Sequence, residues 1–252
     1  MTPVSVVMIV KDEEANLPRA VASAAWGDEI LVVDTGSRDN TLLLAESLNC
    51  RTAVIEWKGF GQAKQTVVEM AAHDWIFSLD ADEEVSPALR DRLTGILMHE
   101  PEYTAYEFKR VSTYLGRQIR YSGWNRDYAL RLFNRKQCRF SDRLVHEKVI
   151  AAGKTARIED PLYHYPYADL AEHWSKINQY TSLGARQLIE DGRRHGLGAG
   201  LFRGTHAALK KYILRAGFRD GPQGVVLAVL TGIGVFLKYA KAWDMERGRS
   251  DQ

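Results

Sequence analysis

The first half of the chain alternates short, uninterrupted apolar runs with amphipathic stretches. "VSVVMIV", residues 4–10, is almost entirely β-branched, the pattern of a strand covered on both faces in a parallel sheet. It stops at the charged "KDEE". Asn16 as a cap and Pro18 in the first turn start a helix that runs through "RAVASAAW", and "EILVVDTGSRDNT" then reads as a second buried strand and a polar loop. Residues 41–48 read as a helix and 52–55 as a short strand; 62–72 form a helix after the turn glycines Gly59 and Gly61, and 75–79 a fourth strand. Strands alternating with helices predict a mostly parallel, doubly wound α/β sheet.

Near residue 105 the texture changes. "YEFKRVSTYLGRQIRYSGW" and "YALRLFNRKQCRF" read as antiparallel strands and turns rich in Tyr, Arg and Phe. Beyond His173 the chain turns helical and carries an uncharged run at residues 221–237. The expected divisions are 1–104, 105–172 and a helical region 173–252, with no internal repeat.

Composition narrows this picture without redirecting it. With 252 residues and 45% hydrophobic content the chain can bury a large core, and 34 Lys and Arg against 32 Asp and Glu give no electrostatic case for nucleic acid as a partner. The start "MTPVSVVMIVKDEE" has no basic n-region, and Cys50 and Cys138 lie far apart, so a cytoplasmic, reducing setting with free thiols is expected.

The chemistry gathers where the predicted strands end. In open α/β sheets ligands collect beyond the strands' carboxyl ends, and there the sequence places "KDEE", "DTGSRD" and "DADEE". Four carboxylates within five residues, Asp80, Asp82, Glu83 and Glu84, repel one another unless water, a helix N-terminus or a cation takes up the charge. In an extended backbone Asp80 and Asp82 project to one side and can approach a single hard divalent ion, Mg²⁺ or Mn²⁺; solvated loop acids are the equal rival reading. Glu83 and Glu84 are assigned to the N-terminus of the helix that Ser86 and Pro87 start. Asp34, at the tip of a buried strand, can accept from a base N–H or a ribose hydroxyl, and Asp39 reads as a loop or cap residue for the helix at Thr41 rather than a ligand contact. Lys11 and Lys64 are candidates to meet phosphate charge. The chain has neither G-x-G-x-x-G after its first strand nor G-x-x-x-x-G-K-[ST], and no close His and Cys cluster of zinc type.

"VSVVMIVKDEEANLPRAVASAAWGDEILVVDTGSRDNT" followed by "GFGQAKQTVVEMAAHDWIFSLDADEEVS" resembles the N-terminal half of family 2 glycosyltransferases of the GT-A fold, in which an Asp-x-Asp motif holds a nucleotide-sugar diphosphate through a metal. "RLVHEKV" and the tail "KKYILRAGFRDGPQGVVLAVLTGIGVFLKYAKAWD" look like the lipopolysaccharide and lipooligosaccharide core β-1,4-glucosyltransferase subfamily, which moves glucose from UDP-glucose to an inner-core sugar. The resemblance implies a Rossmann-like GT-A sheet: residues 1–104 bind the nucleotide-sugar, 105–172 face the acceptor, and the helical extension follows. It places Asp34 at the uracil or ribose, Lys64 near the base or diphosphate, Asp80 beside the nucleotide and Asp82 on the metal. Lys11 stands where many members carry Asn.

Inverting transfer needs a carboxylate to take the proton of the attacking hydroxyl. Asp127, Asp142 and Glu147 are candidates; the resemblance selects Glu147, with His146 as a rival acceptor or an orienting residue. His164 in "YHYPY" reads as packed structure or as an extra metal or phosphate contact. Trp124, Arg126 and Arg131 are candidates for the acceptor site, through stacking on sugar faces and pairing with phosphates, and hairpin packing explains them nearly as well. A nucleotidyltransferase and a non-catalytic nucleotide-sugar-binding scaffold are the rival functions.

The tail sets Arg203, Lys210, Lys211, Arg215 and Arg219 before the uncharged run and Lys238 and Lys241 after it. Seventeen residues with four glycines are short for a span, so the expectation is peripheral attachment to the anionic cytoplasmic face of a bacterial inner membrane, where a lipid-linked acceptor lies; a core helix is the alternative.

Overall fold

The computed structural model describes residues 1–57, 59–141, 149–192 and 196–250. They form two compact units, residues 1–110 with 127–164, and residues 111–126 with 165–252. The expected second division, 105–172, is therefore shared between the units. The segment 111–126 groups with the helices because Asp220 accepts from the backbone N–H groups of Arg120 and Tyr121 and from the Ser122 hydroxyl, at 3.0, 3.2 and 2.7 Å.

In the first unit, β1 (Val4–Val10), β2 (Glu29–Asp34), β3 (Arg51–Val54) and β4 (Trp75–Ser78) pair in parallel in the order β3-β2-β1-β4. The sheet continues past β4 through β8 (Tyr128–Asn134), β6 (Ala105–Tyr114), β11 (Thr155–His164) and β5 (Glu83–Val85), with antiparallel pairs β4–β8, β6–β8 and β11–β5. A small ladder joins β9 (Cys138–Phe140) to β10 (Val149–Ala151).

The apolar run of β1 explains why this sheet is covered on both sides. Val4, Val6, Met8 and Val10 enter one core with Leu17 of α1 (Leu17–Ser23), Ala45 of α2 (Thr41–Ser47) and Leu89, Leu93 and Leu97 of α4 (Pro87–Leu97). Val7 enters the other, with Val67 and Val68 of α3 (Phe60–Met70). Period-two alternation across a fully apolar strand thus feeds two cores. Ser86 caps α4 by accepting from Leu89 N–H at 3.1 Å, with Pro87 in the first turn, as expected. Cys50 and Cys138 are buried free thiols, each pushed up by burial.

The second unit contains the far end of β6 with β7 (Arg117–Gln118) and three long helices, α5 (Leu170–Glu190), α6 (Leu197–Leu209) and α7 (Pro222–Ser250). Asp169 caps α5 by accepting from Glu172 N–H at 2.8 Å, while Glu172 reaches back to Ala168 N–H at 2.6 Å. α6 presents Gly200 and Gly204 to α7: a Cβ on Gly204 would lie 2.7 Å from the Gly232 carbonyl, and one on Gly200 would lie 2.7 Å from Tyr239 Cβ. The helices pack antiparallel at backbone distance. Within α7, Pro222–Arg247 is long and apolar enough to cross a membrane by length and composition, and 28% of its most apolar window is buried.

A buried histidine anchors the start of α5. His173 stacks on Tyr167 with centroids 4.0 Å apart, and its Nδ1 lies 2.7 Å from the Tyr114 hydroxyl. Burial, together with Tyr167, pushes the Tyr114 phenol up to about 12, so the hydroxyl keeps its proton and donates to Nδ1. Burial first, then Lys211 and Lys176, push His173 down to about 4. A depressed histidine stabilises the fold fully above its unfolded value of 6.5 and loses that contribution as pH falls towards about 4. Stability against urea is expected to fall by up to about 3 kcal/mol as pH drops across that window. In His173→Gln, which keeps an acceptor but cannot titrate, that part of the pH slope should vanish.

Candidate functional site

The parallel strands end together, and the loops beyond them are stitched by side chain to backbone bonds. Val10 of β1 lies beside Asp34 of β2, and β4 flanks β1 on the other side. Asp12, at φ 56°, donates its N–H to Ser37 Oγ at 2.9 Å, and its carboxylate accepts from Arg38 N–H at 2.7 Å. Asp39 accepts from the N–H groups of Thr41 and Glu14 at 3.0 and 3.1 Å, a loop role one residue before the Asn40 N-cap. Asp34 is buried, and its carboxylate closes its own loop by accepting from Ser37 N–H at 3.0 Å and Ser37 Oγ at 2.6 Å. Lys11 is exposed at the end of β1.

The acidic cluster after β4 resolves differently from its spacing. The extended backbone ends at Ser78, the chain turns at Ala81 and Asp82, and Glu83 N–H closes the turn on the Asp80 carbonyl at 2.9 Å. The joint approach of Asp80 and Asp82 to one ion, expected from an extended i, i+2 pair, is thereby corrected: the carboxylates take different partners. Asp80 is held by the Arg131 guanidinium and by Lys64 Nζ at 3.3 Å. Asp82 Oδ2 lies 3.4 Å from His164 Nε2. His164 is thus the residue whose weight the sequence underrated; it ends β11, paired with Glu83 of β5, which brings it to this turn.

Glu83 needs a second correction. It does not decorate a helix N-terminus but opens β5, fully buried, and accepts from Arg131 Nη2 at 2.6 Å and from the Asp80 N–H at 3.2 Å. Glu84 is likewise a strand residue, 4.0 Å from Arg19. Arg131, expected at the acceptor, is instead a buried clamp at 6% exposure. Arg110 lies 3.5 Å from Glu83 and 2.7 Å from Asp127, so Asp127, a candidate base by sequence, is held in an ion pair.

Among the described residues, Lys64, Arg110 and Arg131 face Asp80, Glu83 and Asp127. Burial opposes ionisation of Asp80, but Arg131 and then Lys64 more than offset it and hold the carboxyl well below the usual carboxylate range. Burial likewise opposes the Arg131 charge, and Asp80 and Glu83 overcome it.

Asp82 and His164 are the donors on offer to a divalent cation. One carboxylate oxygen and one imidazole nitrogen fit a transition-type ion such as Mn²⁺ better than Mg²⁺, which prefers oxygen alone. Among the described residues no three His, Cys, Asp or Glu side chains group to form a complete metal cage, so such an ion would draw further ligands from substrate and water. Trp124 and Arg126 belong to the other compact unit: Trp124 packs edge-on to Tyr114 at 6.1 Å, and Arg126 is exposed. Glu147, Asp142 and His146 lie outside the described residues.

The chain as a whole is similar to several known proteins. A family model described as "Glycosyl transferase family 2" matches residues 5–150. An uncharacterized glycosyltransferase of Rickettsia typhi is 29% identical over 96% of this chain and 87% of its own length. The lipopolysaccharide core biosynthesis glycosyltransferase LpsC of Rhizobium meliloti is 28% identical over 96% of this chain and 92% of its own. Among solved structures, S. aureus TarS residues 1–349 in complex with UDP superposes with a TM-score of 0.50 at 12% identity, covering 98% of this chain and 92% of that one.

Removing one partner of the clamp exposes its cost. Arg131→Met strands a fully buried Glu83 and is expected to destabilise by about 3–5 kcal/mol in urea unfolding, whereas Asp82→Asn should stay within about 0.5 kcal/mol. The double variant Glu83→Gln/Arg131→Met should recover part of the loss, as a coupled pair requires.

Proposed function

Because the chain belongs to glycosyl transferase family 2, we propose that its first unit binds a UDP-sugar at the carboxyl ends of β1, β2 and β4 and transfers the sugar, with inversion, to a hydroxyl of a lipid-linked saccharide. It is a glycosyltransferase of the GT-A fold, with a curled mixed sheet and C-terminal helices. The proposed donor is UDP-glucose and the proposed acceptor a lipopolysaccharide core, readings supported by the likeness of the sequence motifs and by the name of the LpsC relative. The corresponding place of work is the cytoplasmic face of the inner membrane.

One observation carries the donor site: Asp82 and His164 converge at 3.4 Å beside an Asp80 that two cations keep ionised. Asp82 and His164 would hold the divalent ion, which when bound stabilises the charge of the departing diphosphate. Asp34 keeps lone pairs beyond its Ser37 bonds for a uracil N–H or ribose hydroxyl. Lys64 and Lys11 meet phosphate charge from α3 and from the end of β1. Glu147 takes the proton of the acceptor hydroxyl as it attacks the anomeric carbon; Asp127, already committed to Arg110, is the weaker base.

Titration calorimetry with UDP separates the parts. Mn²⁺ should raise affinity in the wild type, and both Asp82→Ala and His164→Ala should lose most of that gain; equal UDP affinity in EDTA and in Mn²⁺ would refute the metal reading. Glu147→Gln should keep donor binding while turnover falls about 10²-fold or more. A non-catalytic scaffold would release no UDP from UDP-glucose when membranes supply the acceptor.

A further inference from the structure

The second unit carries an apolar surface that the transfer reaction does not use. α6 continues through a π-turn (Lys210–Leu214) and a 3₁₀ turn (Gly217–Asp220) into α7. The antiparallel packing of α6 on α7 makes this connection the end of a helical hairpin. At that end Leu209, Ile213, Leu214, Phe218, Val225 and Val229 are 52, 56, 74, 54, 44 and 50% exposed. Six large apolar side chains exposed within residues 209–229, on both arms and the connection of one hairpin end, exceed the scattered exposure of an ordinary surface.

The end is rigid. Asp220 is buried and anchors it through Ser122 Oγ at 2.7 Å, Ser122 N–H donates to the Arg215 carbonyl at 2.9 Å, and a Cβ on Gly224 would lie 1.8 Å from the Gly217 carbonyl. The uncharged run 221–237, expected to supply the inserting face, meets α6 through Gly232 and Phe236, and its exposed large apolar side chains, Val225 and Val229, lie in its first turns.

Charge selects the occupant. Between Asp191 and Asp244 the sole carboxylate is Asp220, which is buried, while nine Lys and Arg occupy the same stretch. Lys210, Arg215 and Arg219 are exposed among the apolar side chains, and Arg219 lies over the Tyr121 ring at 4.2 Å. Two expected contributors are committed elsewhere: Lys241 Nζ donates to the Asn178 carbonyl at 2.6 Å and to Ser182 Oγ at 2.8 Å, and Lys211 is half-buried against Trp124. A protein partner of ordinary composition offers no reason for this one-sided charge, whereas an anionic bilayer matches both the apolar centre and the basic surround.

We propose that the end of the α6–α7 hairpin is a membrane-docking knuckle. Leu214 and Phe218 lead the apolar group into the headgroup and acyl boundary, and Lys210, Arg215 and Arg219 rest at the level of anionic phosphates. The surface is independent of the donor site, so its loss leaves UDP binding in solution unchanged.

The test is flotation of the full chain with vesicles of phosphatidylcholine alone or with about 30% phosphatidylglycerol, at low and high salt. The wild type should float with the anionic vesicles only, less so as salt rises, and be released by alkaline carbonate. Leu214→Asp/Phe218→Asp and Lys210→Glu/Arg219→Glu should each lower the floated fraction at least about tenfold with UDP affinity retained. A nitroxide on Leu214→Cys, an exposed position that leaves the packing intact, reports directly even if a double variant misfolds: anionic vesicles should raise its accessibility to oxygen relative to a water-soluble nickel chelate. Flotation indifferent to lipid charge, retention through carbonate as for a spanning α7, or a label that stays aqueous beside vesicles would each overturn the proposal. So would a label buried by a second copy or another protein without lipid.

Discussion

Arg131 is the side chain on which the first unit's functional end depends. It reaches from β8 to two carboxylates three residues apart, Asp80 just past β4 and Glu83 at the start of β5, and so ties the parallel part of the sheet to its antiparallel continuation. Glu83 is fully buried, and a lone carboxylate there would be neutralised or expelled. Arg131 and Arg110 lie beside it as partners, and its second oxygen also accepts from the Asp80 backbone. Replacing such a set with apolar groups could be no less stable. What the ionic version fixes is direction: the turn is locked with Asp80 facing inward to the cations and Asp82 facing His164.

Much of the fold was legible because it is written locally. The strands Val4–Val10, Glu29–Asp34 and Trp75–Ser78 announce themselves as apolar runs, and Ser86 with Pro87 marks α4 as a cap and first turn do anywhere. The site was legible only to the level of the loops. The reading of Asp80 and Asp82 as a single pair assumed that the strand continued, and a two-residue turn reverses that outcome without leaving a strong signal in "DADEE". Glu83 was masked by the stronger helix signal three residues on. Its real partner, β11, lies some 80 residues downstream and is set by tertiary pairing that no local period encodes.

One signal was available. Arg131 sits within "YALRLF", where a cation among buried strand residues has no place unless carboxylates wait for it, and the excess acid of "DADEE" is a matching demand. The tail shows the converse difficulty. Its uncharged run is the most conspicuous apolar stretch of the chain, yet part of its surface is spent on α6 through contacts at Gly232 and Phe236. The apolar side chains left exposed lie mainly before it, among lysines and arginines that lower the apparent hydrophobicity of that segment. Hydropathy ranks segments by content, whereas exposure depends on which face a neighbour has already taken.

The pairing within the clamp also bears on how the proposed donor would be held. A nucleotide diphosphate brings two or three negative charges, and Arg110 and Arg131 cannot turn to meet them without abandoning Glu83 in a dry site, at a cost of several kcal/mol. Lys64 can contribute only by loosening its bond to Asp80. Beyond what Lys64 and Lys11 supply, the positive charge for a diphosphate must therefore come from outside the two arginines. That requirement supports the proposed cation beside Asp82 and His164: Asp80 and Glu83 are satisfied by the arginines, and Asp82 faces His164 instead.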